Sequence, residues 1–311
     1  VNGVVNLLKP PGMTSHDAVA IARRLFNQRR IGHGGTLDPG VSGVLPLFLG
    51  WATRLVRFMP DDKRYRAEMT LGISTDTQDG GGATVEVAHE VHITPRQLGE
   101  AFAAFLGVIE QTPPMLSAVR VDGRRLYELA REGQVIERQP RTVEIYEMHI
   151  RKIWPEETPV LGLGSRVLFD VHCSAGTYIR TLCVDIGAHL GCPAHMSFLV
   201  RTAAGPLSID DAVTLEELEA AKTNDRLAEY VLPPTVAVEH LTPVTADPKA
   251  QDDLFHGRRF TAAAPVDASS TVRVQDSRGR LLALAEAIPQ HRGLWQPICV
   301  FPRTDDGGFS R

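Results

Sequence analysis

Gly32-His33-Gly34-Gly35-Thr36-Leu37-Asp38-Pro39, continued as Gly43-Val44-Leu45-Pro46, sets one carboxylate inside a glycine-dense turn. Glycine reaches positive φ and lets a backbone approach a ligand closely, and Pro39 fixes the φ that follows Asp38. A chain displays a nucleophile or a base in this way. It also caps helices and closes turns in this way. Partners elsewhere in the chain must separate the two readings.

Working outward, Ser15 ahead of Ala18, Val19, Ile21, Ala22, Leu25 and Phe26 predicts an N-cap and a helix that leads to Arg29-Arg30 and into the turn. Lys63–Leu71 alternates, with Tyr65, Ala67, Met69 and Leu71 on one side and Arg64, Arg66, Glu68 and Thr70 on the other, so a strand is expected with Tyr65 facing inward. Thr94-Pro95-Arg96-Gln97 supplies a cap, a first-turn proline and a capping-box glutamine for a helix bearing Leu98, Phe102, Phe105 and Leu106. Beyond the stiff Pro113-Pro114 connector, a short helix is expected from Arg124, through Leu126, Leu129 and Ala130, to Gly133, in a basic and loop-rich stretch. Arg166–Cys173 reads as a strand and runs through Ser174-Ala175-Gly176-Thr177 into a helix of Ile179, Leu182, Cys183, Ile186 and Leu190 closed by Gly191. Arg180 therefore falls on a strand-to-helix turn. Thr214 and Glu217 cap another helix, and after Leu232-Pro233-Pro234 the chain changes to short β-like runs such as 271–274 and 281–285. The fold class is mixed α/β, with a main body over residues 1–235 and a small β-rich unit over 245–311.

Composition limits what this chain can be. With 43% hydrophobic and 23% charged residues it is an ordinary globular sequence, and no apolar run approaches the roughly 18 residues of a membrane span. Cys173, Cys183, Cys192 and Cys299 form no Cys-x-x-Cys pair, so buried thiols are expected, with no disulfide and no structural metal. The opening residues carry no leader pattern, which points to a cytoplasmic protein. The formal net charge is −4, yet residues 1–142 hold 17 Lys+Arg against 15 Asp+Glu, leaving 16 against 22 for the remainder. Arginines cluster at 23, 24, 29 and 30, at 64 and 66 beside Lys63, at 124 and 125, and at 138 and 141. Each cluster alone is an ordinary solvated face; together they could line a groove that tracks phosphates.

Lys63-Arg64-Tyr65-Arg66-Ala67 and Gly176-Thr177-Tyr178-Ile179-Arg180-Thr181 contain what a buried carboxylate needs: a guanidinium to hold it ionised and an aromatic ring to stack on a base. These segments, with Leu8-Lys9-Pro10-Pro11-Gly12-Met13-Thr14-Ser15, Pro113-Pro114-Met115-Leu116-Ser117-Ala118 and Leu126-Tyr127-Glu128-Leu129-Ala130-Arg131, closely resemble the TruB family of tRNA pseudouridine-55 synthases over roughly residues 3–220. The resemblance implies a pseudouridine synthase fold, a central mixed β-sheet flanked by helices, and isomerisation of a uridine in the tRNA T loop. By position in the matching motifs, Asp38 would be the catalytic aspartate, Tyr65 the ring packed on the target base and Arg180 the ion-pair partner of Asp38. His33 would enter the space left by the everted nucleotide. Tyr178 and Leu199 would line the pocket, Lys9, Gly35, Thr36 and Arg120 would belong to the substrate-binding set, and residues 117–141 would form a mobile RNA-gripping insertion. The tail would be a PUA-like domain. Departures include Gly34 where the family has Thr, and Leu116 where it has Tyr.

The implied reaction breaks N1–C1′ and joins C5–C1′, so no cofactor is needed. Asp38 could attack C1′ or remove a C2′ proton, and the residues do not choose between these. Tyr65 could accept the C5 proton. The expected partner is tRNA, with no membrane and no obligate protein partner, and the chain is expected to act as a monomer. A tRNA-folding factor with incidental catalysis is the alternative.

Overall fold

Residues 1–115, 117, 120–121, 124–125, 132, 136–263, 270–291 and 293–302 are described by a computed structural model of the chain. In chain order the strands are β1 (Gly3–Lys9), β2 (Ile31–His33), β3 (Ser42–Leu49), β4 (Lys63–Leu71), β5 (Ile73–Thr75), β6 (Thr84–Val87), β7 (Gly107–Gln111), β8 (Arg120–Val121), β9 (Arg124–Arg125), β10 (Arg141–Trp154), β11 (Arg166–Cys173), β12 (Ala194–Ala204), β13 (Leu207–Ser208), β14 (Pro243–Thr245), β15 (Phe260–Thr261), β16 (Thr271–Gln275), β17 (Leu281–Ala287) and β18 (Leu294–Val300). The helices are α1 (Ser15–Leu25), α2 (Pro95–Ala104), α3 (Ile179–His189), α4 (Leu215–Thr223) and α5 (Pro248–Phe255).

Period-two burial builds the larger sheet, ordered β1-β3-β12-β4-β11-β10-β7 with β2 on β3 and β13 on β12. The β3–β12 pair is parallel and its neighbours antiparallel, so the sheet is mixed as expected. In β1 and β3, Val5, Leu7, Leu45, Leu47 and Leu49 face a core shared with α1 and α4, while Val4, Val44 and Phe48 face the other way. A separate core joins Ala67, Met69 and Phe169 to Leu98 and Phe102 of α2 and to Leu182 and Ile186 of α3. Tyr65 and Leu199 pack against both cores and so mark their seam.

The second sheet, β14-β16-β17-β18-β15, is not free of the first. Leu284, Cys299 and Phe301 share a core with Val4, Val44, Phe48 and Leu55. Trp51 stacks on Phe301 with ring centroids 4.3 Å apart, and the Arg54 guanidinium donates to the Val300 carbonyl at 2.6 Å. The tail is thus seated on the face of β1 and β3 that α1 does not cover. Among the described residues, no helix is long and apolar enough to cross a membrane, and all four cysteines are buried and free.

Several boundaries differ from those the sequence suggests. Thr14, not Ser15, is the N-cap of α1; it forms a capping box with Asp17, the arrangement that Thr94–Gln97 and Thr214–Glu217 repeat at α2 and α4. Ser15 is instead free to bond the Asp38 turn, as described below. Helix α1 stops at Leu25, before Arg29-Arg30, and Asn27 follows in the left-handed region at φ 46°. Helix α2 stops at Ala104, leaving Leu106 46% exposed. Arg124–Arg125 is a strand paired with Arg120–Val121. The rest of the short helix expected there, and Leu116, lie outside the described residues.

Parallel pairing of β3 with β12 requires glycine at 43. Its φ is +123°, and a Cβ there would stand 2.3 Å from the Arg201 carbonyl oxygen and 2.5 Å from its nitrogen. Backbone cannot move aside as a flexible side chain can. Gly43→Ala is therefore expected to cost about 3 kcal/mol or more of stability, read as a lowered urea midpoint; an unchanged midpoint would contradict this packing.

Candidate active site

The turn between β2 and β3 is tied at nearly every residue. The Ser15 hydroxyl accepts from Leu37 N–H at 2.9 Å and donates to its carbonyl at 3.2 Å. Gly12 N–H donates to the Pro39 carbonyl, and Val41 N–H to that of Asp38. Two buried cations brace the turn from its ends. Lys9, fully buried, directs its ammonium to the carbonyls of Pro10 (2.8 Å), Met13 (2.8 Å) and Pro39 (3.4 Å). Arg201 donates to the carbonyls of Gly35 (3.0 Å) and Thr36 (3.2 Å). Gly35 sits at φ +134°, a value that favours glycine.

So tied, the turn presents the Asp38 side chain to a cavity of about 100 Å³ lined by Thr36, Asp38, Tyr65, Tyr178, Arg180 and Leu199, among others. Arg180, in the first turn of α3, reaches across with Nη2 2.9 Å from Asp38 Oδ2, while its Nη1 donates to the Thr77 carbonyl at 3.1 Å. The guanidinium side chain is 5% exposed and the carboxylate 47%. The sequence suggested a buried carboxylate; the arginine is buried and the acid stands half open at the cavity. That asymmetry suits a group that must meet a ligand from outside while its charge is held from within.

Tyr65 enters from β4. Burial pushes its phenol up from the ordinary value, opposed by the charge and hydrogen bond of Arg201. Lys63, two residues earlier, is pushed down to about 8 by burial and then by Arg201. The Tyr178 backbone at the α3 start is held on both sides by Gln111, whose amide accepts from its N–H at 3.0 Å and donates to its carbonyl at 3.3 Å.

The structure thus brings Thr36, Asp38, Tyr65, Tyr178, Arg180 and Leu199 to one cavity. His33, Gly35 and Lys9 stand beside it as part of the turn and its supports. Backbone at Arg120 belongs to the β8–β9 hairpin, and its side chain lies outside the described residues. Of the arginine clusters, Arg64 pairs with Glu147 and Arg66 with Asp170, which also takes Arg151; these cations are partly neutralised by the protein itself. Arg201, the Ser15 hydroxyl and the Thr77 carbonyl were not identified from sequence. A signal existed only for Arg201, as a charge on the same strand parity as Leu199.

His33 accepts a hydrogen bond at Nδ1 from Gly35 N–H, and its ring lies edge-on to His16 at 5.6 Å. Burial, then the charges of His16 and Arg201, hold its pKa below the ordinary 6.5. The folded chain therefore binds fewer protons at this site than the unfolded chain just below 6.5, and stability should rise with pH through that window. An imidazole titration by NMR is expected to give a midpoint under 6.5; one at or above it would contradict this environment. Among the described residues, no three His, Cys, Asp or Glu side chains are disposed to hold a metal ion.

Residues 23–179 match the family model described as TruB family pseudouridylate synthase, N-terminal domain. The chain belongs to the TruB family. Residues 180–239 match the model of the tRNA pseudouridylate synthase B C-terminal domain. The family's two segments meet at Arg180, and the second contributes β12 to the middle of the sheet built by the first. The chain is 49% identical to the tRNA pseudouridine synthase B of Symbiobacterium thermophilum over 83% of its length and 82% of that protein's. It is 44% identical to the one from Alkaliphilus oremlandii over 99% and 92%. Among solved structures, a chain of a Cbf5–Nop10–Gar1 complex superposes with a TM-score of 0.72 at 31% identity, covering 97% of this TruB-family chain and 85% of that one. Pseudouridine synthases are isomerases, and this chain is an enzyme of that class.

Proposed function

We propose that this chain acts on tRNA, converting uridine 55 of the T loop to pseudouridine, with Asp38 reacting at the ribose. One observation carries the residue assignment: a carboxylate held by a buried arginine, 2.9 Å away, lines a cavity together with a tyrosine ring from the strand opposite. The names of the curated relatives support the substrate. Reaching Asp38 requires the nucleotide to leave its stack, which costs a few kcal/mol and less in a loop than in a duplex. The neutral His33 ring, beside the turn, can stack into the gap.

Within the cavity the N1–C1′ bond breaks, the uracil turns and C5 joins C1′. Arg180 aims Asp38 at the sugar, as nucleophile at C1′ or as base at C2′. Tyr65 packs on the base and takes the C5 proton. Lys9, Gly35 and the Thr36 backbone hold the turn in place, Tyr178 and Leu199 wall the base, and Arg120 reaches RNA. Net proton movement is from C5 to N1, so atoms and electrons balance without a cofactor. The β-rich tail is a PUA-like unit, and the enzyme works as a monomer in the cytoplasm. Incubating the purified chain with a bulk tRNA transcript and mapping pseudouridine by mass spectrometry tests the reading. Conversion at a single T-loop position without additives is the expected result; conversion elsewhere, or none, would overturn it.

A further inference from the structure

Arg201 heads the fully buried side chains of this protein by volume, at 1% exposure. A guanidinium taken out of water generally meets a carboxylate. Here it meets none among the described residues. Its Nε donates to the Val44 carbonyl at 2.7 Å, and its two Nη atoms reach the Thr36 and Gly35 carbonyls at 3.2 and 3.0 Å. Carbonyl dipoles solvate a cation but leave its charge unbalanced. Across the sheet Arg201 is paired in register with Tyr65, and its charge acts on the Tyr65 phenol.

One residue thus links both halves of the reaction centre: its head group bonds the two residues that precede Leu37-Asp38, and its strand position stands opposite Tyr65. We propose that Arg201 is a positioning residue that fixes the Tyr65 oxygen relative to the Asp38 turn and supplies the countercharge when Tyr65 becomes phenolate. The inference rests on the proton-acceptor role given to Tyr65 above. In that step Tyr65 first releases its proton to water. The phenolate then takes the C5 proton, the C5–H electron pair restores the C5–C6 double bond, and N1 takes a proton from water. No electrons enter or leave.

Arg201 from β12, Cys173 from β11 and Asp38 from the turn act on the Tyr65 phenol, and Tyr178 and Arg180 at the start of α3 line the same cavity. Cys173 is itself pushed up to about 11 by burial, so it stays neutral below that. Asp38 opposes ionisation of the phenol, and Arg201 is the group that favours it.

The test replaces all five tyrosines with difluorotyrosine, whose phenol ionises several units lower, and follows the fluorine signal that Tyr65→Phe removes. In Arg201→Gln the residue-65 midpoint is expected to rise by about one pH unit or more. Single-turnover conversion should fall about 100-fold and recover as pH rises, with tRNA affinity changed less than about three-fold. Arg201→Lys, which keeps the charge, should hold the midpoint near that of the unsubstituted chain. A second reading needs no substitution at 201: guanidinium nitrogen signals of Arg201 should shift at the residue-65 midpoint. An unmoved midpoint in folded Arg201→Gln, or Arg201 signals flat across that midpoint, would overturn the inference. If the midpoints move as stated but Tyr65→Phe converts uridine at the full rate, the proton-acceptor role of Tyr65 fails while the Arg201 link stands.

Discussion

Asp38→Asn is expected to lower single-turnover conversion of tRNA uridine by about 10⁴-fold or more, with tRNA affinity changed less than about three-fold. Asparagine keeps the shape of the side chain and leaves an oxygen that can still accept from Arg180. It loses the charge needed to attack C1′ or remove a C2′ proton, and among the described residues no other one lining the cavity carries a carboxylate. The turn should hold its conformation, because its ties run through backbone groups, Ser15, Lys9 and Arg201 and not through the Asp38 side chain. Arg180 would lose the charge of its 2.9 Å partner, so some loss of thermal stability should accompany the substitution. Quench-flow conversion and filter binding on the same preparation check both halves. Conversion near the original rate would remove Asp38 from the chemistry, and a collapse of affinity would make it a binding residue.

Arg180→Lys should reduce conversion about 100-fold or more, with modest loss of folding. The fork of Arg180 serves acceptors in different directions, among them Asp38 through Nη2 and the Thr77 carbonyl through Nη1. A lysine nitrogen sits on a shorter stem and cannot occupy both positions. If it follows Thr77, Asp38 is released to rotate in its half-open cavity; if it follows Asp38, the Thr77 carbonyl loses its donor from α3 and, among the described residues, only the Thr181–Gln78 bond remains of the two that tie the β5–β6 turn there. Either way the carboxylate is aimed less well, and an aim lost by about 1 Å can cost about 100-fold. Turnover of the lysine variant measured beside its thermal midpoint separates misaim from unfolding. An unchanged rate would show that the ion pair does not orient Asp38.

Much of this geometry was legible before any coordinates. The parity of Lys63–Leu71 put Tyr65 on the inner face, where it packs between two cores. The strand Arg166–Cys173 and the helix after it fell where expected and left Arg180 at the helix start. Local patterns carry such information because burial alternates with a fixed period and a cap is read from four consecutive residues. Where two residues competed for the cap, the reading slipped by one: Thr14 took it because Asp17 answers from three positions on, and Ser15 turned to Leu37, 22 residues away.

Arg201 shows the other limit. In the chain it is one arginine among 33 Lys and Arg residues, and apart from sharing the strand parity of Leu199 nothing local distinguishes it from the solvated arginines of β4. Its importance comes from where its hydrogen bonds end, at Gly35, Thr36 and Val44, and from the tyrosine it stands opposite on the neighbouring strand. Likewise the local pattern could not reveal that Arg66 spends its charge on Asp170.

By itself the sequence determined the main helices, the strands Lys63–Leu71 and Arg166–Cys173, the inward face of Tyr65 and the motif set that marks the TruB family, since these depend on neighbours within a few residues. The tertiary structure decided which cations remain unbalanced, how far Asp38 opens to solvent and which groups share one guanidinium. Those depend on distances between segments more than 100 residues apart, and such distances exist only once the chain has closed its sheet.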